Sequence, residues 1–265
     1  MEHSYLDGWE PIGGLEIGRR YEHAPIVQAI LEFQVQSAED VPLTAFEQIP
    51  FGDDFLDAQP IFRMNAEIKV EPGHGSALAS ARQEAAGFMY PRRDQGRTIQ
   101  AMPAHFTYIW HDQYTNWETL IDETEAAWTE YKRVAKPQLV HSIGARFVNM
   151  IPLPEKAVEL RDYLRISVDI PAALPQGVRN LFAQVDIPMD KYDATCTITT
   201  TIADAAPERP GGGLLLDIDV RSSVEITTLD EAFDSAIRDK LDALRMAKNL
   251  VFEACITDAT RERIK

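Results

Sequence analysis

The sequence YEHAPIVQAILEFQVQ, at residues 21–36, is the segment around which the predicted fold is built. Pro25 opens the segment, after which apolar and polar side chains alternate at a period of two. Because successive side chains of a strand point to opposite faces, this alternation predicts a strand with one buried and one solvated face. The buried row comprises Val27, Ala29, Leu31, Phe33 and Val35, opposite Glu32, Gln34 and Gln36.

A shorter strand-like segment, SIGARFVNMIPLP at 142–154, opens the second half of the chain. In both halves further alternating segments follow, and each half contains a long amphipathic helix, predicted over 117–135 and 229–257. Thr115 with Glu118 and Thr228 with Glu231 have the spacing of capping boxes at the starts of these helices. The sequence therefore predicts an α+β fold of two similar halves, each a curved antiparallel sheet followed by a long packing helix. The predicted division is a partly ordered leader at 1–20, a first half at 21–136 and a second half at 137–265, with one continuous domain as the alternative.

Composition places the chain among folded proteins of the cytoplasm. Of its 265 residues 45% are hydrophobic and 26% are charged, which is ordinary for a protein with a substantial core. No run approaches the roughly 20 apolar residues that a membrane-spanning helix needs, and the first residues lack the basic flank and apolar centre of a secretory signal. Cys196 and Cys255 have no CxxC partner, so we expect buried, reduced thiols.

The net charge of −16 bears on the partners that the protein could bind. A surface this acidic repels phosphate backbones, so direct nucleic-acid binding is disfavoured. The same charge suits a protein partner with a basic surface, or simply keeps the protein soluble. A homo-oligomer is compatible with the sequence, and association with a membrane is not expected.

Three polar residues stand out in the segment that opens the second half. Arg146 and Asn149 each interrupt an apolar row of the predicted strand, and His141 precedes them. A buried guanidinium is costly without a partner, so Arg146 either binds an anion in a cleft or forms an internal ion pair, with Glu32 or Glu253 as candidate partners. These five residues are the predicted ligand- or partner-binding set, and the internal ion pair is the favoured interpretation of Arg146.

Asp217 and Asp219 project from one face of a predicted strand, about 7 Å apart. Paired carboxylates can divide acid and base roles or hold a divalent cation, although a solvated strand face explains them equally simply and is favoured. No phosphate-binding loop, nucleophile elbow or cysteine–histidine pair is recognisable in the sequence. We therefore predict no catalytic residues, no metal site and no cofactor.

Three segments taken together resemble a known family. They are HAPIVQAILEFQV at 23–35, GARFVNMIPLP at 144–154 and AKNLVFEACIT at 247–257, in this order and spread over nearly the whole chain. The family is a sporadically distributed group of uncharacterised prokaryotic proteins, known mainly by its sequence pattern. The resemblance implies no enzyme activity.

Members of that family show a Pro-Pro-Ile opening with an acidic residue soon after it, an Arg-aromatic-x-Asn strand and a Phe-Glu pair near the C-terminus. The matching positions here are 25–26, 146–149 and 252–253. The chain departs from the pattern at Ala24, where the first proline is usual, at Gln28, where an acid is usual, and at Arg245, where a histidine often follows leucine. Any site that relatives build from those polar positions would therefore differ in this protein.

Three hypotheses about function follow. The first is a non-enzymatic interaction protein, an accessory subunit of a small bacterial operon such as a toxin-neutralising or phage-defence cassette; acidity, the missing catalytic motifs and the sporadic family favour it. The second is a small-ligand-binding module with an aromatic-lined pocket between helix and sheet and Arg146 or Asn149 at its wall. The third is a metal-dependent hydrolase that uses Asp217, Asp219 or Glu253.

Overall fold

A computed structural model describes residues 15–38, 41–70, 77–111, 113–154, 159–166, 168–205, 211–228 and 232–265. Within the predicted leader, residues 1–14 lie outside the described part. The strands are β1 Ile26–Gln36, β2 Gln59–Val70, β3 Ala77–Pro91, β4 Arg97–Met102, β5 His105–His111, β6 Leu139–Pro152, β7 Phe182–Met189, β8 Ala194–Ala203 and β9 Gly213–Thr227. The helices are α1 Trp117–Ala135, α2 Phe233–Cys255 and α3 Asp258–Arg263.

All nine strands of the described residues belong to one antiparallel sheet, in the order β2-β3-β4-β5-β1-β6-β9-β8-β7. The prediction of two similar halves, each with its own sheet and long packing helix, is therefore wrong, although the fold is still a mixture of helix and antiparallel sheet. The reason is the pairing of β1 with β6, the two strands that open the predicted halves. Each would otherwise be an edge strand with unpaired backbone N–H and C=O groups, and the pairing satisfies both edges.

Strand β1 lies at the centre of this sheet, where it pairs with β5 on one side and β6 on the other. Its alternation decides which side of the sheet is covered. Ala29, Leu31, Phe33 and Val35 are buried on the side that we call the inner face, whereas Glu32 lies on the opposite, outer face. Complete burial of a side chain such as Leu31 or Phe33 stabilises the fold by about 1.5–3 kcal/mol.

Helices α1 and α2 both cover the inner face. The Phe33 ring lies 4.8 Å from the Trp128 ring of α1, and Trp117 at the start of α1 donates from Nε1 to Asp242 Oδ1 of α2 at 3.0 Å. The apolar stripe predicted along the second helix is confirmed by burial of Phe233, Ile237, Leu241, Leu244, Val251 and Cys255.

Helix α1 has the predicted bounds, but its N-cap differs by one residue from the sequence prediction. Thr115 and Glu118 have the spacing of a capping box, but the N-cap is Asn116, whose side chain accepts the Thr119 N–H at 2.8 Å. The cap predicted at Thr228 and Glu231 falls partly outside the described residues. None of the helices that the structure describes combines the length and the apolar character needed to cross a membrane.

Candidate functional site

The structure separates the five predicted site residues instead of gathering them. Glu32 and Arg146 lie on the outer face of the sheet, while Asn149 and Glu253 lie on the helix-covered side. His141 is exposed at an irregularity between Val140 and Ser142 of β6, and no other described residue bonds to its ring. The predicted set therefore does not form one site.

Arg146 forms an ion pair, but with neither of the predicted partners. Its Nε donates to Asp217 Oδ1 at 2.9 Å and its Nη2 to Asp217 Oδ2 at 2.6 Å, a two-point contact. The pairing with Glu32 or Glu253 is wrong because of register: Arg146 stands opposite Asp219, and Asp217 is the diagonal neighbour two residues away on β9. Arg146 of β6 is thus paired with a residue of β9, and the sequence did not predict that these two strands are neighbours.

Glu32 is held by His105 and Arg221 on the same outer face. His105 Nε2 lies 3.2 Å from Glu32 Oε2, and Arg221 donates from Nη1 to Glu32 Oε1. Gly144 stands between Glu32 and Arg221 in the register, and a Cβ at that position would meet the Arg221 Cζ at 3.4 Å. The bare backbone at Gly144 therefore gives the Arg221 guanidinium its route across β6.

Burial raises the pKa of Glu32, but hydrogen bonds from His105 and Arg221 outweigh it and lower the pKa to about 2. Arg221 also lies 3.5 Å from Asp219, whose own pKa is raised, chiefly by burial. Every carboxylate of this cluster lies within 4 Å of an arginine nitrogen, so no cation is left over to attract an anion. We call the cluster the outer charge network; it consists of Glu32, His105, Arg146, Asp217, Asp219 and Arg221.

Glu253 lies on the other side of the sheet, in a buried pair with a residue close to it in sequence. Arg261 of α3 donates from Nε to Glu253 Oε2 at 3.0 Å, and Tyr21 donates to Glu253 Oε1 at 2.6 Å. The side chains of Arg261 and Glu253 are only 9% and 4% exposed, so this carboxylate is already satisfied. Burial and the bond to Glu253 raise the pKa of Tyr21 to about 12.

Asn149 is also buried on the inner face, where its Nδ2 donates to the backbone oxygens of Phe147 and Leu216 at 3.2 and 3.0 Å. These bonds account for the polar interruption that the sequence showed in the apolar row. Asn149 and Glu253 nevertheless share a feature: both line one cavity of about 240 Å³. The cavity lies between residues 17–26, residues 114–118 and the C-terminal half of α2.

Basic side chains dominate the wall of this cavity, which we call the basic pocket. Arg245 lies 3.3 Å from Glu118 Oε1, whereas the other cations of the wall have no carboxylate within ion-pair distance in the described part of the chain. Glu253 is already bound to Arg261, so Glu118 alone opposes the four cations of the wall, an excess of three positive charges on a protein of net charge −16. The charged residues of the wall are Arg19, Arg20, Arg245, Lys248, Glu118 and Glu253.

Lys248 is the least ordinary of these cations. Its Nζ lies 4.0 Å from the centroid of the buried Phe147 ring, which gives a cation–π contact but no hydrogen-bond acceptor. Burial, with a smaller effect of the neighbouring Arg245 charge, lowers the pKa of Lys248 to about 7. Tyr114 and Trp117, which line the pocket, pack against the Phe147 ring at centroid distances of 5.6 and 6.4 Å.

Two other cavities lack such an excess of charge. One, of about 340 Å³, lies between α1 and α2, and its cations are paired: Lys132 with Asp234 at 2.5 Å and Arg238 with Glu125 at 3.2 Å. The other, of about 210 Å³, belongs to the outer charge network. The basic pocket is therefore the cavity best suited to a charged ligand.

The sequence interpretation missed Arg245 and Lys248 as site residues. A signal was present, because Arg245, Lys248, Asn249 and Phe252 follow the i, i+3, i+4, i+7 spacing of one helical face, beside the apolar stripe. All four line the basic pocket. The mixed polar and aromatic character of that face distinguishes it from a solvated one.

The carboxylates named for a metal-dependent hydrolase do not converge. Asp217 and Asp219 lie on the outer face, and Glu253 lies beneath the helices on the other side. Among the described residues, no group of three His, Cys, Asp or Glu side chains could hold a metal ion. Comparison of the chain with protein-family models, with curated proteins and with solved structures finds no match.

Proposed function

We propose that the protein binds a small anionic molecule in the basic pocket. The observation that supports this most strongly is the uncompensated charge of the pocket wall: four cations against two carboxylates, one of which is already bound by Arg261. Arg19 and Arg20 are exposed, but the like charges of Arg245 and Lys248 act on each other at the pocket wall, and an anion would reduce their repulsion. This is the ligand-binding hypothesis of the sequence analysis, with Asn149 rather than Arg146 at the pocket wall.

The pocket combines three kinds of recognition group. Arg245 supplies a planar guanidinium suited to carboxylate or phosphate, and Asn116 and Asn249 supply amides that can orient a polar ligand. Trp117 and Tyr114 supply apolar walls. The volume of about 240 Å³ is below the range of drug-sized pockets, so the expected ligand is a small organic acid or phosphate compound.

The first helix adds to the attraction for an anion. Residues 115–117 at the start of α1 line the pocket, and α1 is 19 residues long. Its N-terminal end carries a partial positive charge from the aligned peptide dipoles. The contribution is secondary, since Glu118 in the first turn offsets part of it.

Thermal unfolding and calorimetry with a ligand panel test the proposal. The panel contains phosphate, citrate and lactate as anions and glycerol as the neutral control, at low ionic strength. A ligand present at a hundred times its Kd stabilises the fold by about 2.7 kcal/mol, so binding gives a readable rise in Tm. We expect one or more of the anions to raise Tm and glycerol to have no effect.

Two charge-removing variants locate the binding. Arg245→Met removes a cation from the pocket and should weaken anion binding tenfold or more, since a hydrogen bond to a charged group contributes about 1.5–3 kcal/mol. Arg146→Met removes the same charge from the outer face and should leave binding within about twofold. Equal loss in both variants, or no binding of any anion, would contradict the proposal.

The interaction-protein role, including toxin neutralisation or phage defence, stays a prediction, and one feature of the fold favours it. Strand β7 is at the edge of the sheet and carries exposed apolar side chains, with Phe182 70% and Val185 41% exposed. Such an edge can accept a strand from a partner. Co-purification from the native host with wild type and with Phe182→Ser tests it, since only a partner seated on this edge is lost from the variant.

A further inference from the structure

Lys248 differs from the other cations of α2, which are Arg238, Lys240 and Arg245, in having no carboxylate partner among the described residues. Arg245, three residues earlier on α2, lies 3.3 Å from Glu118, and Lys240 on the same helix lies 3.0 Å from Asp193 Oδ2. A carboxylate partner holds a lysine in its charged form. Lys248 instead rests on the Phe147 ring, at the wall of a cavity large enough to admit a small molecule.

An amine in this setting is chemically different from a surface lysine. Burial and the Arg245 charge lower the pKa of Lys248 to about 7, so that near neutral pH about half of the molecules carry a neutral amine. The neutral amine has a free electron pair and is a nucleophile toward carbonyl carbon. Desolvation beside a second cation is a known way to activate a lysine for this chemistry.

We propose that Lys248 condenses with the carbonyl group of a small oxo acid bound in the basic pocket and forms an imine. The inference rests on the proposed function and names its ligand class, an anion that carries both a carboxylate and a ketone or aldehyde. Arg245 is the group that would hold the carboxylate, because it and Lys248 stand three residues apart on one helical face, where side chains are about 5–6 Å apart at Cβ.

The reaction is balanced without any further reagent. The Lys248 nitrogen attacks the carbonyl carbon, and one of the two protons on that nitrogen moves to the carbonyl oxygen to give a carbinolamine. The carbinolamine then loses its hydroxyl group and the remaining nitrogen proton as one molecule of water, which leaves a carbon–nitrogen double bond. No electron is gained or lost overall, and addition of water reverses the reaction.

Arrangement of the remaining wall favours an oxo acid over a simple aldehyde. A neutral aldehyde would leave the excess positive charge of Arg19, Arg20 and Arg245 without a further anion, since Glu118 is the one carboxylate paired with Arg245 among the described residues. A carboxylate beside the carbonyl supplies the missing charge and places the reacting carbon near the amine at the same time. We therefore expect selectivity for oxo acids over neutral carbonyl compounds of equal size.

The test is reductive trapping of the full-length protein. Wild type is incubated with pyruvate, glyoxylate or 2-oxoglutarate and cyanoborohydride, and intact mass and peptide mapping locate the reduced adduct. We expect one adduct per chain on Lys248 with at least one of the three acids, at least tenfold faster than on Lys240. Acetone, a neutral carbonyl compound, should give no preference for Lys248.

Two controls keep the result interpretable. Lys248→Arg retains the charge but has no reactive amine, so the specific adduct should disappear while Lys240→Arg leaves it unchanged. Lactate and 2-hydroxyglutarate, which lack the carbonyl group, should compete with adduct formation in the unaltered protein, which guards against a folding defect in the variant.

The outcomes separate this inference from the proposed function. Hydroxy acids that bind while none of the three oxo acids gives a Lys248 adduct would overturn the imine and leave anion binding standing. Adducts spread evenly over surface lysines would also overturn it. If neither hydroxy nor oxo acids bind or react, both proposals fail.

Discussion

The outer charge network and the basic pocket lie on opposite faces of the same strands, and they treat charge in opposite ways. On the outer face Arg146 is matched by Asp217 and Arg221 by Glu32, so cations and carboxylates offset each other. In the pocket, Lys248 has no carboxylate partner in the described residues. Paired charges either raise the stability of the folded protein or leave it unchanged, whereas an unpaired, partly buried cation lowers it. Such a cation is retained where a ligand supplies the opposite charge.

The largest expected effect concerns whether Glu253 is free to neutralise the pocket. The Glu253 carboxylate is paired with Arg261, and the side chains of Arg261 and Glu253 are 9% and 4% exposed. Breaking a buried pair leaves one charge uncompensated, so Arg261→Met should lower the free energy of unfolding by about 3–5 kcal/mol. Urea denaturation measures the loss, and Arg263→Met, which removes an exposed charge from the same helix, should lose less than about 0.5 kcal/mol.

The double variant Arg261→Met/Glu253→Gln sharpens this result. Removing both charges should recover at least half of the lost stability, because no isolated ion is left in the interior. A single variant that loses under 1 kcal/mol would mean that Glu253 is satisfied elsewhere. In that case the carboxylate could serve the pocket, and the excess of positive charge would be smaller than inferred.

Removing the charge of Lys248 should raise the stability of the protein, whereas removing that of Arg261 should lower it. Replacing this partly buried cation by the apolar Met of similar length should raise the free energy of unfolding by about 1–3 kcal/mol at neutral pH. The unfolded lysine keeps its proton up to a pKa of about 10.5, whereas the folded one loses it above about 7. Wild-type stability therefore rises with pH between these values, and the advantage of the variant should shrink over the same range.

Urea denaturation at pH 7 and at pH 10 checks the expectation for Lys248→Met. Lys240→Met on the same helix is the matched control, since that lysine is paired with Asp193 and its loss should cost a few tenths of a kcal/mol at either pH. Destabilisation by Lys248→Met at both pH values would remove the contrast with the outer face. The lysine would then be a structural residue held by its contact with Phe147.

Removing a charge from the outer charge network should change the stability of the protein only slightly. Arg146 is 46% exposed and pairs with Asp217, so the coupling free energy of the two side chains should be about 1 kcal/mol or less. A double-mutant cycle with Arg146→Met and Asp217→Asn measures it. The coupling free energy should fall further in 0.5 M salt, because screening weakens partly exposed ion pairs. A coupling free energy above 2 kcal/mol would mean that this ion pair behaves like a buried one.

Local patterns predicted the elements well, because period and burial are encoded in neighbouring residues. The alternation of Leu31 and Phe33 against Glu32 gave the central strand, and the stripe through Leu241 and Leu244 gave the last long helix. The N-cap of α1 was misplaced by one residue because Thr115 and Asn116 are both good caps. Choosing between adjacent caps depends on backbone geometry that the sequence does not specify.

Long-range features were not predictable in the same way. The pairing of β1 with β6 joins the expected sheets, and nothing in the two strands alone says that their edges meet. The Arg146–Asp217 pair depends on the register between β6 and β9, and a shift of two residues would select another partner. The basic pocket needs three segments far apart in the chain, so only the Arg245 and Lys248 spacing on α2 could have indicated it.

The smallest expected effect is an acid-range change at Glu32. Burial raises the pKa of this carboxyl, but the bonds from His105 and Arg221 outweigh burial and lower it from 4.5 to about 2. A carboxyl whose pKa is lowered in the folded state stabilises the fold above the unfolded pKa, and that contribution is lost as the pH falls from about 4.5 to about 2. Unfolding followed from pH 6 to pH 2 should thus be less steeply pH-dependent in Glu32→Gln than in wild type. Glu225→Gln, which changes an exposed carboxyl on β9, should follow wild type. Identical acid profiles for wild type and Glu32→Gln would show that His105 and Arg221 do not stabilise the Glu32 carboxylate. The outer face would then lack the pairing of charges that distinguishes it from the basic pocket.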